Sequence, residues 1–387
     1  MSTTLEEVGV TKNLTAAMSG SGLLAWVQQQ LCELSAEAAV QLPGDAPLRL
    51  VPLSGDAGFR RYFRVNTRPS LLAVQAPVAT EDSPAFVAIA DCLRQQGVAT
   101  PGVLAADFEQ GLLLIEDFGD ALYSTVISAN NADCLYAEAM QTLLRLQRCP
   151  AQSLPAPQGG AALPVPRYDR ARLGAEMALL PQWFIPRLLG VELSASEQAM
   201  LQSVFRLLED SALAQPQVWV HRDFHSRNLI CRTGQPPGVI DFQDAVIGPI
   251  TYDLVSLLRD CYLRWPPQRV RGWALAYREM ALEAGLLGSE AAGLQDSKAE
   301  DEFLRCFDWM GLQRHIKVLG IFARLWLRDG KPGYLRDLPL VLRYTLEVAQ
   351  QYSQFADLVE LFQRRLLPAC VGQPWYRDYR QVGEVTL

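Results

Sequence analysis

Short apolar and alternating runs come first along the chain, and long helical periods follow them. Leu48–Leu53 is mainly apolar, and Ser54-Gly55-Asp56-Ala57-Gly58 then turns the chain. From Phe59 to Val65 the positions alternate. Phe59, Arg61, Phe63 and Val65 share one face, and Arg60, Tyr62 and Arg64 share the other, which is the period of a strand. Leu71–Ala76, closed by Pro77, predicts a third strand. Residues 83–97 have helical spacing, with Asp82 or Ser83 as cap, Pro84 in the first turn and Gly97 at the end. Val103–Phe108 and Leu112–Glu116 flank a Glu109-Gln110-Gly111 turn and read as a hairpin.

One helix is expected before these strands, at about 22–38. Beyond them helices are expected at about 121–149, 168–189, 195–213, 252–263, 267–285, 301–329, 337–350 and 353–366. The Pro-, Ala- and Gly-rich stretch 150–166 reads as a surface loop. Residues 1–20, polar and small, read as a disordered tail.

Composition narrows the class. A chain of 387 residues is long enough for two lobes with a large core. A net charge of −7, with no dense Lys/Arg cluster, argues against nucleic acid as a partner. No signal peptide is apparent, and no apolar run approaches the roughly 20 residues that span a bilayer. The eight cysteines are scattered with no C-x-x-C pair, which reads as reduced thiols rather than a disulfide framework or a zinc site. A cytoplasmic, monomeric protein with a small-molecule partner, and no membrane partner, is expected.

The chemistry concentrates in residues 218–241, V-W-V-H-R-D-F-H-S-R-N-L-I-C-R-T-G-Q-P-P-G-V-I-D. Asp223 follows His221 by two residues, Asn228 follows Asp223 by five, and Asp241 follows Asn228 by thirteen. Apolar runs flank each polar cluster. This is the layout of a kinase catalytic loop followed by a metal-binding aspartate. In that layout Asp223 faces the attacking hydroxyl as general base or orienting group, while Asn228 and Asp241 hold Mg2+ on the phosphates of ATP. Ser54, Gly55 and Gly58 are candidates to cover those phosphates with backbone N–H groups. His221 reads as a structural hydrogen-bonder, His225 as a group at the mouth of the site, and Asp253 as a brace or cap.

Three segments carry a wider resemblance: H-R-D-F-H-S-R-N, V-I-D-F-Q-D-A and G-P-I-T-Y-D-L. Together they resemble the aminoglycoside-phosphotransferase-like small-molecule kinases, over roughly residues 45–350. F-R-R-Y-F-R-V (59–65), L-L-I-E-D-F-G-D (113–120) and M-G-L-Q-R-H-I-K-V-L-G-I-F-A-R-L (310–325) look like the N-acetylmuramate/N-acetylglucosamine anomeric kinases of bacterial cell-wall recycling. The resemblance implies an α+β, two-lobed, protein-kinase-like fold, with an N-lobe at 21–117, a mainly helical C-lobe at 118–387 and a hinge that places Glu116 and Phe118 beside the nucleotide. It also implies phosphorylation of an amino sugar at its anomeric hydroxyl by ATP and Mg2+. A kinase for another small alcohol, such as an aminoglycoside or choline-like compound, and a nucleotide-binding pseudokinase are the alternatives.

One departure from the kinase pattern matters. The chain holds four lysines (12, 298, 317 and 331) against 31 arginines, so none lies where kinases place a phosphate-binding lysine. Gln75 reads as the residue in that place, and the helix that would carry the glutamate partner has Ala88 and Asp91. Arg60 or Arg61 is the candidate substitute cation. On the helix at 309–331, Arg314, Lys317, Arg324 and Arg328 fall within an arc of about 80° at 100° per residue. That arc is either a solvated basic face or a surface where Arg314 and Lys317 meet an anionic substrate. His315 reads as a core histidine.

Overall fold

The computed structural model describes residues 20–34, 40–42, 46–53, 58–287 and 296–383. The tail expected at 1–20 falls outside these except for Gly20, and so do Ser54 and Gly55. The chain forms two compact units. One holds the described residues up to Val87 together with Pro101–Asp117, and the other holds Ala88–Thr100 with the chain from Phe118 onward.

The first unit is a helix on a sheet. After α1 (Gly20–Leu34) come β1 (Leu50–Pro52), β2 (Arg61–Val65), β3 (Leu71–Gln75), α2 (Ser83–Gln95), β4 (Val103–Asp107) and β5 (Leu112–Glu116). The strands form one antiparallel sheet in the order β1-β2-β3-β5-β4. Its core follows the period of two: Val65, Leu71, Ala73, Leu112 and Leu114 meet Leu23, Val27 and Leu31 of α1. Asp82, not Ser83, caps α2, accepting the N–H of Ala85 at 2.9 Å.

Residues 88–100, counted by sequence with the N-lobe, cluster with the second unit. The reason is local. The carbonyl of Ala99 accepts the N–H of Val239 at 2.7 Å, and the thiols of Cys92 and Cys149 lie 3.2 Å apart. All eight cysteines are free.

The second unit is mainly helical. Its larger elements are α3 (Ala132–Gln147), α4 (Arg170–Met177), a π-helical stretch Leu180–Leu188, α5 (Ala195–Ala214), β6 (Gln217–Val220), β7 (Leu229–Ile230), β8 (Gly238–Val239), β9 (Val246–Pro249), α6 (Thr251–Leu258), α7 (Pro267–Glu283), α8 (Asp296–Leu327) and α9 (Leu338–Ala349). The helix expected at 121–149 is interrupted. Asn131 accepts the N–H of Ser128 and donates to the carbonyl of Val126, so its side chain competes for backbone groups that a helix needs. α5 starts at a Ser194/Glu197 capping box.

α8 organises the unit. Every residue from Phe307 to Gly320 is buried, so the helix runs through the core rather than over it. Leu312, Ile316, Leu319 and Ala323 meet Leu180 and Phe184 on one side and Leu338, Val341 and Leu342 on another. Gly320 lets the π-helical stretch approach: a Cβ there would sit 2.4 Å from the Leu179 carbonyl carbon. Gly320→Ala should therefore overpack this crossing and cost about 1–3 kcal/mol. Urea denaturation checks it, and an unchanged midpoint would mean that the helices can part without loss.

Candidate active site

β6 pairs with β9, from Val220 opposite Val246 to Gln217 opposite Pro249, and delivers the chain to His221. The β7–β8 hairpin, with Ile230 opposite Gly238, then brings the chain back to Asp241. Between them lies a tight loop. The carbonyl of Asp223 accepts the N–H of His225 at 3.0 Å, and that of His225 accepts the N–H of Asn228 at 2.9 Å.

Two residues here carry the positive φ that L side chains rarely adopt: Arg222 at 79° and Asp241 at 64°. Such a conformation costs about 1–2 kcal/mol each; Arg222 directly precedes Asp223, and Asp241 is itself a candidate position. Asp253 of α6 holds the first in place. Its carboxylate accepts the N–H of His221 at 2.6 Å and of Arg222 at 3.0 Å. Burial pushes the Asp253 carboxyl up to about 6, against the pull of His221, the two N–H groups and Arg314. The expectation of a brace is met, and it is not a helix cap.

His221 links the two halves. Its Nδ1 accepts the N–H of Asp223 at 3.2 Å, so Nε2 carries the proton and donates to the carbonyl of Ile240 at 3.0 Å. The ring is fully buried. His221 therefore fixes Asp223 relative to the strand end that presents Asp241. Asn228 adds a second link. Its Nδ2 donates to the Asp223 carbonyl at 3.0 Å and lies 3.4 Å from Asp241 Oδ2. That orientation leaves the Asn228 Oδ1 as an oxygen ligand beside the Asp241 carboxylate, which also accepts from Gln243 at 2.7 Å. Two hard oxygen groups of this kind would suit magnesium. No cluster of three or more His, Cys, Asp or Glu suited to a metal occurs among the described residues.

Beneath the loop lies a buried polar layer. Glu176 of α4 pairs with Arg222 at 2.6 Å and Lys317 at 3.0 Å, and it accepts the Tyr168 hydroxyl. Lys317 also donates to the Tyr252 hydroxyl at 3.0 Å. Arg314 lies over the Tyr252 ring and donates to the Arg222 carbonyl at 2.9 Å and the Ser256 hydroxyl at 2.7 Å. Burial works against the Glu176 charge, but Lys317 and Arg222 outweigh it and hold the carboxyl below the usual range. For Asp223, burial also disfavours the charge, yet Lys317, His225, Arg314 and His221 bring the carboxyl down to about 2. Asp223 is thus an ionised acceptor across the ordinary pH range.

This layer corrects the reading of the basic helix. Arg314 and Lys317 are neither solvated nor turned toward a substrate: they are buried at 6% and 7% exposure and spend their donors on the catalytic loop and its support. A helix buried on all sides can carry cations only where each finds a partner. Farther along, Arg328 pairs with Asp329 at the surface. His315 is a core residue, stacked on Tyr344, with burial lowering its pKa to about 3.

The nucleotide candidates are placed as follows. Glu116, ending β5, spends its carboxylate on the N–H of Gly102 at 2.8 Å. Phe118 packs against Gly238, where a Cβ would come within 2.4 Å of its ring, and beneath Arg232. Gly58 is exposed. Gln75 does not stand where the sequence suggested. Leu71 and Ala73 face α1, so alternation turns Gln75 and its partner Arg61 to that same side. Val74 occupies the opposite face. Arg60 lies there too, its guanidinium 4.9 Å over Phe86 of α2 and 3.1 Å from Glu81. Nothing in the local pattern singled out Glu176, an isolated acid on an ordinary helix.

Lys317→Met leaves Glu176 with Arg222 alone and removes the strongest cation from Asp223. Breaking this buried pair should cost on the order of 3 kcal/mol. A depressed carboxyl stabilises the fold above its unfolded value and loses that contribution as pH falls through its folded value. Without Lys317 the Asp223 carboxyl rises from about 2, so the acid limb of activity moves to higher pH. An unmoved acid limb in the pH profile would show that Lys317 does not act on Asp223.

A family model for the "Phosphotransferase enzyme family" matches residues 49–290. The N-acetylmuramate/N-acetylglucosamine kinase of Pseudomonas putida is 42% identical over 88% of this chain and 94% of its own length. The protein of the same name in Pseudomonas aeruginosa is 40% identical over the same shares. The GDP complex of aminoglycoside 2'-phosphotransferase-IIIa superposes with a TM-score of 0.53 at 16% identity, covering 85% of this chain and 99% of that one. A Plasmodium vivax ethanolamine kinase gives 0.50 at 14% identity, covering 94% and 91%. These two show the α+β, kinase-like fold alone. With a buried catalytic-loop scaffold, a matching family model and relatives of this identity, the chain belongs to the phosphotransferase enzyme family and groups within it with the N-acetylmuramate/N-acetylglucosamine kinases.

Proposed function

We propose that this protein transfers the γ-phosphoryl group of ATP to the anomeric hydroxyl of N-acetylmuramate and N-acetylglucosamine, giving sugar 1-phosphates in peptidoglycan recycling in the cytoplasm. The observation that carries this reading is the intact loop geometry of Asp223, Asn228 and Asp241 in a chain 42% identical to a kinase of that name. Asp223, ionised at working pH, accepts a hydrogen bond from the acceptor hydroxyl and orients it. Its low proton affinity means that the proton passes only as the new P–O bond forms. An anomeric hydroxyl is more acidic than an ordinary alcohol, which suits so weak a base. Asn228 and Asp241 would hold magnesium, which neutralises phosphate charge when bound.

Arg60 is assigned to the ATP phosphates in place of the absent lysine. In protein kinases the phosphate-binding lysine of the third strand pairs with a glutamate of the following helix. Here Val74 takes the lysine's face, and the Arg60–Glu81 pair lies on that face against α2. The Arg60 side chain is 6% exposed, and its Nε has no hydrogen-bond partner. Glu81 also accepts the N–H of Phe59 at 3.4 Å.

Phosphorus NMR of products from ATP·Mg and a panel of N-acetylmuramate, N-acetylglucosamine, glucose, kanamycin and choline tests the function. Signals of anomeric phosphates are expected from the first two, and Asp223→Ala should abolish them while still binding ATP. Transfer to kanamycin or choline, or to nothing, would sink the proposal. Arg60→Met should raise the KM for ATP by on the order of 10-fold to 100-fold. An unchanged KM would return Arg60 to a purely structural role.

A further inference from the structure

A second set of side chains gathers at the loop, all within the second unit. Arg227 directly precedes Asn228. Its guanidinium lies 3.3 Å from the centre of the Tyr262 ring. The His225 ring meets the same Tyr262 edge-on, with centroids 5.6 Å apart. Asp337, at the start of α9, approaches Arg227 at 3.8 Å, beyond hydrogen-bond reach. His225 reports back to the reacting position, since its N–H is bonded to the Asp223 carbonyl at 3.0 Å.

Three features mark this cluster as built for a ligand. Arg227 makes no side-chain hydrogen bond among the described residues, unlike Arg222, Arg314 and Lys317, whose donors are spent beneath the loop. Its side chain is 27% exposed, and stacking on Tyr262 holds its planar fork in one orientation. The Asp337 Oδ2 and the His225 Nδ1 are buried and have no hydrogen-bond partner. Buried polar atoms are otherwise almost always paired, so two orphans beside an underused guanidinium call for polar groups from outside.

The geometry points to this cluster as the acceptor-sugar subsite, with Arg227 as the residue that distinguishes the two amino sugars. N-acetylmuramate carries a lactyl carboxylate that N-acetylglucosamine lacks, and a fixed guanidinium is the natural partner for it. Asp337 and His225 then meet the hydroxyl and amide groups that both sugars share. The inference rests on the proposed anomeric-kinase activity and deepens it.

The test compares kcat/KM for the two sugars in the full-length enzyme, with Arg227→Gln, Arg227→Lys and Asp337→Asn. Arg227→Gln should lower the N-acetylmuramate to N-acetylglucosamine ratio by on the order of 10-fold or more. Arg227→Lys, which keeps the charge and loses the fork, should restore part of that ratio. Asp337→Asn should lower both sugars together and leave the ratio near that of the wild type. The ratio is measured within one variant, so a change in folded fraction cancels. A ratio unmoved by Arg227→Gln would overturn the inference, whether both sugars fall equally or neither falls. Failure of the unaltered enzyme to phosphorylate either sugar would instead overturn the activity on which the inference rests.

Discussion

The carboxylate of Asp253 is the constraint on which the site depends. It gathers the N–H groups of two successive residues, His221 and Arg222, and so holds Arg222 at a φ of 79°. That backbone turn sends Asp223 away from the strand direction of β6 and toward the loop that carries Asn228. Without an acceptor for both N–H groups, the strained turn would relax and two buried donors would be orphaned, at about 1–3 kcal/mol each. His221 completes the arrangement. Its ring spans from the Asp223 N–H to the Ile240 carbonyl, so the places of Asp223 and Asp241 are set by one side chain.

Charge is the second theme. α8 brings two cations into the core, where an ionised group is tolerated only with partners. Glu176, Tyr252, Ser256 and the Arg222 carbonyl supply them. The same cations keep Asp223 ionised against the pull of burial. Support and electrostatics are therefore one device: the groups that hold the loop also set its charge. In the first unit a similar logic holds: Arg60, just before β2, is buried and pairs with Glu81, just before α2.

Much of this was legible in the chain. The period of two gave β2, β3 and the β4–β5 hairpin, and the spacing of His221, Asp223, Asn228 and Asp241 marked out the loop between β6 and the β7–β8 hairpin. Local chemistry is enough for such features, because strand faces and loop motifs depend on near neighbours. The helix at 121–149 was less readable, since Asn131 broke it through side-chain bonds that compete with the backbone. Gln75 was misplaced by one residue, and a single step along a strand changes the face.

Sequence by itself determined the class of chemistry. An Asp, an Asn and a second Asp at fixed spacing between apolar runs leave few other uses. Only the tertiary structure decided which charges are buried and what each is paired with. A helical wheel shows that Arg314 and Lys317 share a face, but it does not say whether that face meets water, substrate or protein. Glu176, Arg227 and Asp337 come together with the loop across more than a hundred residues, and no local pattern announces them. Burial and partner identity are properties of packing between distant segments, and they are what separates a supporting cation from a binding one.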